Sequence, residues 1–159
     1  MVGELSCLVV EDEPGIAWAI RRLLEQARAT VSVAETGASA LQQLGRGTFT
    51  AIFLDVKLPD ADGFELAGTI KRIAPATPIV VISAYFYPHD PKVQQILEQG
   101  IARRFIAKPF RHDEVLAALR DLVVPEAPWS GIHRAKSSVY GAGSRAGARR
   151  GEDSAPNSK

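Results

Sequence analysis

The chain holds a single cysteine, Cys7, among its 159 residues. One thiol excludes an internal disulfide framework and any zinc site built on cysteines. Set in "LSCLVV", it reads as a small buried hydrophobe rather than a reactive group. Long hydrophobic runs are also missing. No apolar stretch approaches the roughly 18 residues of a membrane span, and no basic segment leading into an apolar one resembles a secretory signal. The expected location is the cytoplasm, with no membrane partner. Net charge is close to absent at +1, so the total carries no footprint for nucleic acid. The small excess is local: residues 125–159 carry six Lys/Arg against three Asp/Glu, which leaves 13 against 15 for residues 1–124. No internal repeat of the solenoid kind is present.

What is there suits one globular domain, with 46% hydrophobic and 23% charged residues. Short apolar runs read as strands at Leu5–Val10, Thr30–Ala34, Ala51–Leu54, Pro78–Ile82 and Arg104–Ala107. The stretches between them show helical spacing. Ile16, Ala19, Ile20, Leu23 and Leu24 recur at three and four, as do Val93, Ile96 and Leu97, and then Val115, Leu116, Leu119 and Leu122. Pro14 suits a first helical turn and Gly100 a helix C-terminus. Five strand–helix repeats predict an α/β fold in three layers: a doubly wound, five-stranded parallel sheet of flavodoxin-like order 2-1-3-4-5. From Pro125 onward Gly, Ser, Ala and Pro dominate with no apolar period, so residues 125–159 are expected to form a disordered basic tail. The expected domain is 4–124.

In such a sheet all strands deliver their carboxyl ends to one edge, where ligands bind. Strand one brings Glu11 and Asp12 ("CLVVEDEP"), strand three Asp55 ("AIFLDVKLP"), strand four Ser83 ("IVVISAY") and strand five Lys108 ("RFIAKPF"). Any one of these has an ordinary explanation: a strand-end turn for Asp55, a capping hydroxyl for Ser83, a solvated surface amine for Lys108. Their coincidence does not. Three carboxylates drawn together repel one another and call in a cation, and oxygen-only donors suit a hard ion such as Mg²⁺. A hydroxyl and an ammonium on the other side of Asp55 complete a cage for a phosphoryl group, with Asp55 as nucleophile.

On these residues the chain resembles the receiver domain of bacterial two-component response regulators. "VVEDEP", "LDVKLPDADGFEL", "ISA" and "KPF" stand in that family's order, over about residues 4–124. The resemblance implies that Asp55 is the phosphoacceptor and that Glu11, Asp12 and Asp55 hold Mg²⁺ with the backbone carbonyl of Lys57. It implies further that Ser83 and Lys108 bind the phosphoryl group, that the Lys108–Pro109 bond is cis, and that Phe105 is the aromatic switch. Two features depart from the family's pattern. Lys108 lies about three residues further from Ser83 than usual, with the extra length around "YFYPHDP". Lys57 also puts a cation beside the phosphorylation site.

The expected function is a single-domain response regulator, a phosphoacceptor signalling protein rather than an enzyme with a separate substrate. Its partners are a sensor histidine kinase and a downstream protein bound through the face of the fourth helix, fifth strand and fifth helix, with Gln95, Gln99, Arg103, Arg104 and Arg111 as contributors. No direct nucleic-acid contact is expected; a homodimer is open. Competing readings are a phosphorylation-independent binding module of receiver shape, and a phosphate sink or relay without its own output. A phosphohydrolase resembling the haloacid dehalogenases fits poorly, because Lys57 stands where a second Asp is required. His89 and His112 read as solvated.

Overall fold

The computed structural model describes residues 3–123, so the expected tail lies outside the described residues. Ten elements alternate along the chain: β1 (Leu5–Val10), α1 (Pro14–Gln26), β2 (Ala29–Ala34), α2 (Gly37–Leu44), β3 (Ala51–Asp55), α3 (Gly63–Ile73), β4 (Ile79–Ser83), α4 (Pro91–Glu98), β5 (Arg104–Ala107) and α5 (His112–Val123). The strands form one all-parallel sheet in the order β2-β1-β3-β4-β5. This is the predicted flavodoxin-like arrangement.

The central strands β1, β3 and β4 are apolar apart from Ser6, Asp55 and Ser83, because both faces of the sheet are covered. Their side chains alternate between two cores, as the twofold pleat requires. Cys7 and Val9 of β1, Phe53 of β3 and Val80 and Ile82 of β4 pack with Ile20, Leu24, Val115 and Leu119 of α1 and α5. Leu8 and Val10, Ile52 and Leu54, and Ile79 and Val81 point the other way, onto Ala40, Leu66, Ile70 and Ile96 of α2, α3 and α4. Cys7 is fully buried, and burial pushes its thiol up to about 11.

The helix ends follow local chemistry. Pro14 opens α1, where a missing N–H costs nothing. Gly100, at φ +70°, ends the α4 turn in the left-handed region that glycine enters without steric cost. Two strands run one residue beyond their predicted ends, through Asp55 and Ser83, and β4 begins one residue later, at Ile79. Pro78 has no N–H to give the ladder, although its carbonyl accepts from Ile52 N–H at 3.0 Å. The later starts and ends matter here because both site residues lie within the sheet's own hydrogen bonding rather than in loops.

Candidate functional site

Register alone brings the strand ends into line. Val10 lies opposite Leu54, Asp55 opposite Ile82, and Ser83 opposite Ala107. The residue after each strand end is then fixed by one backbone bond to its neighbour. Glu11 N–H donates to the Ala34 carbonyl (3.0 Å), Val56 N–H to Ile82 (3.2 Å) and Lys108 N–H to Ser83 (2.8 Å). Carboxylate oxygens of Glu11, Asp12 and Asp55 consequently lie within 4.8 Å of one another. Together with Lys57, Tyr85 and Lys108 they line a cavity of about 700 Å³ at the carboxyl edge of the sheet.

Glu11 and Asp55 are buried while Asp12 is exposed, so the cluster has a dry floor and a wet mouth. Lys108 Nζ is 2.7 Å from Glu11 Oε2 and 3.4 Å from Asp55 Oδ1. One ammonium against three carboxylates leaves a formal charge of −2. Burial raises the Asp55 carboxyl above the ordinary range, outweighing the Lys108 ammonium and the nearby Lys57 N–H. Glu11 is raised for the same reason, against its bonds to Lys108 and to Glu13 N–H. Burial pulls the Lys108 ammonium down, but Glu11 and Asp55 more than offset that and hold it above its usual value. An all-oxygen, net-anionic cluster with an open mouth fits a hard divalent cation that keeps part of its water shell.

Ser83 is fully buried and does not line the cavity; Ala84 and Tyr85 do. Its Oγ accepts the Tyr85 N–H at 3.0 Å, which leaves the hydroxyl proton free to be donated. Phe105 is outside the cluster. It stands on β5, half-buried, against the core shared by α2, α3 and α4. The Lys108–Pro109 bond is cis. On the helix 4–strand 5–helix 5 face, Arg104 pairs with Asp121 and Arg111 with Asp113. His89 stacks on Tyr87, with ring centroids 5.9 Å apart.

Two residues at this edge, Tyr85 and Asp60, take places that the sequence alone does not imply. Tyr85 meets Lys57 across the cavity mouth: Lys57 Nζ lies 3.3 Å from the phenol oxygen and 4.4 Å from the ring centroid. The aromatic run "YFY" was the visible signal, but its orientation was not. Asp60 turns away from the cluster, and its two oxygens accept Gly37 N–H (2.8 Å) and Ala38 N–H (3.0 Å) at the start of α2. A bond between positions 37 and 60 leaves no mark in local pattern.

Residues 7–120 match the family model for the response regulator receiver domain. Transcriptional regulatory protein TcrA of Mycobacterium tuberculosis is 34% identical over 121 residues, covering 76% of this chain and 47% of that protein. This chain thus spans about half the length of curated relatives such as TcrA. Among solved structures, a CheY-like response regulator receiver domain protein from Methanospirillum hungatei JF-1 superposes with a TM-score of 0.70. It shares 21% identity, over 76% of this chain and 94% of its own, a likeness of fold. The response regulator TrrA of Thermotoga maritima, solved in complex with Mg²⁺ and BeF, superposes at 0.65 with 27% identity, over 74% of this chain and 98% of its own.

Proposed function

The chain belongs to the response regulator receiver domain family, and we propose that Asp55 is its phosphoacceptor, charged by a phosphohistidine on a sensor kinase. The observation that carries this reading is the convergence of Glu11, Asp12 and Asp55 within 4.8 Å, with Lys108 reaching two of them. A buried carboxylate with no attacking role would be better neutralised by a second fixed cation than left in a −2 cluster open to solvent.

In the transfer, an Asp55 oxygen attacks phosphorus while the P–N bond to the donor imidazole breaks and the nitrogen leaves with the bonding pair. The product is an aspartyl phosphate. Glu11, Asp12, Asp55 and the Lys57 backbone carbonyl would hold Mg²⁺, which supplies Lewis-acid stabilisation of phosphoryl charge. Lys108, already 3.4 Å from Asp55, neutralises a phosphoryl oxygen. Ser83 donates its free hydroxyl proton to another. Because its Oγ also holds the Tyr85 N–H, a shift of Ser83 toward the phosphoryl group pulls on the segment leading into α4. Phe105, half-buried on β5 opposite Val81, is the aromatic that would answer this shift, and the α4–β5–α5 face becomes the output surface for a protein partner. In this proposal the receiver unit spans residues 4–124 and signals in the cytoplasm by protein contact.

The test is intact mass after incubation with Mg²⁺ and acetyl phosphate. Wild type is expected to gain one phosphoryl group; Asp55→Asn, or wild type with the metal chelated, gains none. Stoichiometric labelling of Asp55→Asn would move the acceptor elsewhere. Equal partner affinity with and without a beryllofluoride mimic would favour a phosphorylation-independent module instead.

A further inference from the structure

We propose that Asp60 is a positioning residue for the metal and phosphoryl site, acting by strapping the β3–α3 loop to the start of α2. The inference rests on the phosphoacceptor reading and names a part that reading does not use.

The loop between Asp55 and Gly63 carries the Lys57 backbone, whose N–H faces the Asp55 carboxylate. The position of that one peptide therefore bears directly on the nucleophile and on the carbonyl offered to the metal. At its base the loop is closed by the chain itself. Gly63 N–H donates to the Val56 carbonyl at 2.7 Å, and Lys57 bridges to Asp62. Asp62 is committed to capping α3 through Phe64 and Glu65 N–H. At the apex, Pro59, Asp60 and Ala61 have no such closure of their own; Pro59 and Asp60 are exposed. There the Asp60 carboxylate reaches across to α2 and accepts two N–H groups, one on each oxygen. Hydrogen bonds from those two N–H groups hold its carboxyl below the usual range.

The fit on the α2 side is close. A Cβ added at Gly37 would stand 3.0 Å from Ala61 Cβ, so the loop apex and the helix start approach as nearly as a glycine allows. Two side chains divide the unpaired donors of α2 between them. Asp60 takes the N–H groups of Gly37 and Ala38, and Thr36 Oγ1 takes that of Ser39 at 3.0 Å. The helix already has a local cap, Thr36 Oγ1 on Ser39 N–H, so Asp60 is not its sole cap. What Asp60 adds is a fixed distance between the helix and the loop that bears Lys57.

That division supplies the control. Asp60→Ala and Thr36→Ala each remove capping of the same helix end, but only the first releases the loop. Mg²⁺ affinity is read by titration calorimetry on the metal-free full chain, with urea unfolding of each variant alongside. Asp60→Ala is expected to weaken Mg²⁺ binding roughly tenfold, at the low end of what losing an outer-shell support costs a metal site. Asp60→Asn, which preserves volume and one acceptor, falls between. Thr36→Ala, at a comparable fall in urea midpoint, stays within about twofold of wild type, as expected for a change that does not touch the loop. Asp60 variants that bind Mg²⁺ as wild type does, or losses that Thr36→Ala reproduces, overturn the positioning role while leaving the phosphoacceptor reading intact. A wild-type chain that takes no Mg²⁺ overturns both.

Discussion

At the scale of single residues, the site stores repulsion. Asp55 is buried, and burial is the main reason its carboxyl is raised above the usual range. A carboxyl with a raised folded pKa binds its proton more tightly in the native state than in the unfolded one. Its stabilising contribution is therefore present below the unfolded value near 3.8 and is lost as pH rises through the higher folded value. Asp55→Asn should then stabilise the metal-free chain at neutral pH, by on the order of 1 kcal/mol. Lys108 is not stranded by the change, because Glu11 stays at 2.7 Å. Urea midpoints at pH 7 and pH 4 check this: the advantage of the variant should shrink toward the acid side as wild-type Asp55 takes up its proton. A variant less stable than wild type at pH 7 would mean that the Asp55–Lys108 contact outweighs the burial.

At the scale of elements, the β3–α3 junction has the narrowest tolerance. A Cβ placed on Gly63 would collide with the Asp55 carbonyl oxygen and the Val56 Cα, both backbone atoms that no rotamer change can move. Gly63→Ala should cost about 2–3 kcal/mol in urea unfolding, in the range of overpacking a close-packed site. It should also displace the Asp55 peptide. Gly68, in the middle of the same helix, has nothing within 4 Å of an added Cβ. Gly68→Ala is expected to gain roughly 0.5–1 kcal/mol from helix propensity alone. The pair separates a glycine kept for space from one that is not; equal effects at both positions would reject the collision.

At the scale of the whole molecule, metal and fold should be linked. The cluster is assembled from β1 and β3, residues 11, 12 and 55, so the unfolded chain has no preformed site. A ligand that binds only the native state adds about 2.7 kcal/mol of stability at a hundredfold excess over its Kd. Wild type should therefore melt at a higher temperature as Mg²⁺ rises, and chelation should reverse the gain. Glu11→Gln and Asp12→Asn should each flatten that dependence. Differential scanning calorimetry across a Mg²⁺ series decides it, and unchanged melting of wild type would exclude a native-state Mg²⁺ site.

Much of this could be read from the sequence. Apolar runs of four to six residues with amphipathic stretches between them determined the strands, the helices and the parallel sheet, because burial on both faces leaves a continuous hydrophobic signature. The convergence of the acids and the lysine was legible because parallel strands send their ends to one edge, so order along the chain becomes proximity in space. Tertiary structure alone decided contacts between segments whose separation has no period. It set Ser83 behind the cavity wall rather than on it, joined Lys57 to Tyr85 across the mouth, and aimed Asp60 at α2 instead of at the neighbouring acids. Those outcomes depend on the direction of individual side chains over loops, where no repeating backbone geometry converts residue spacing into position.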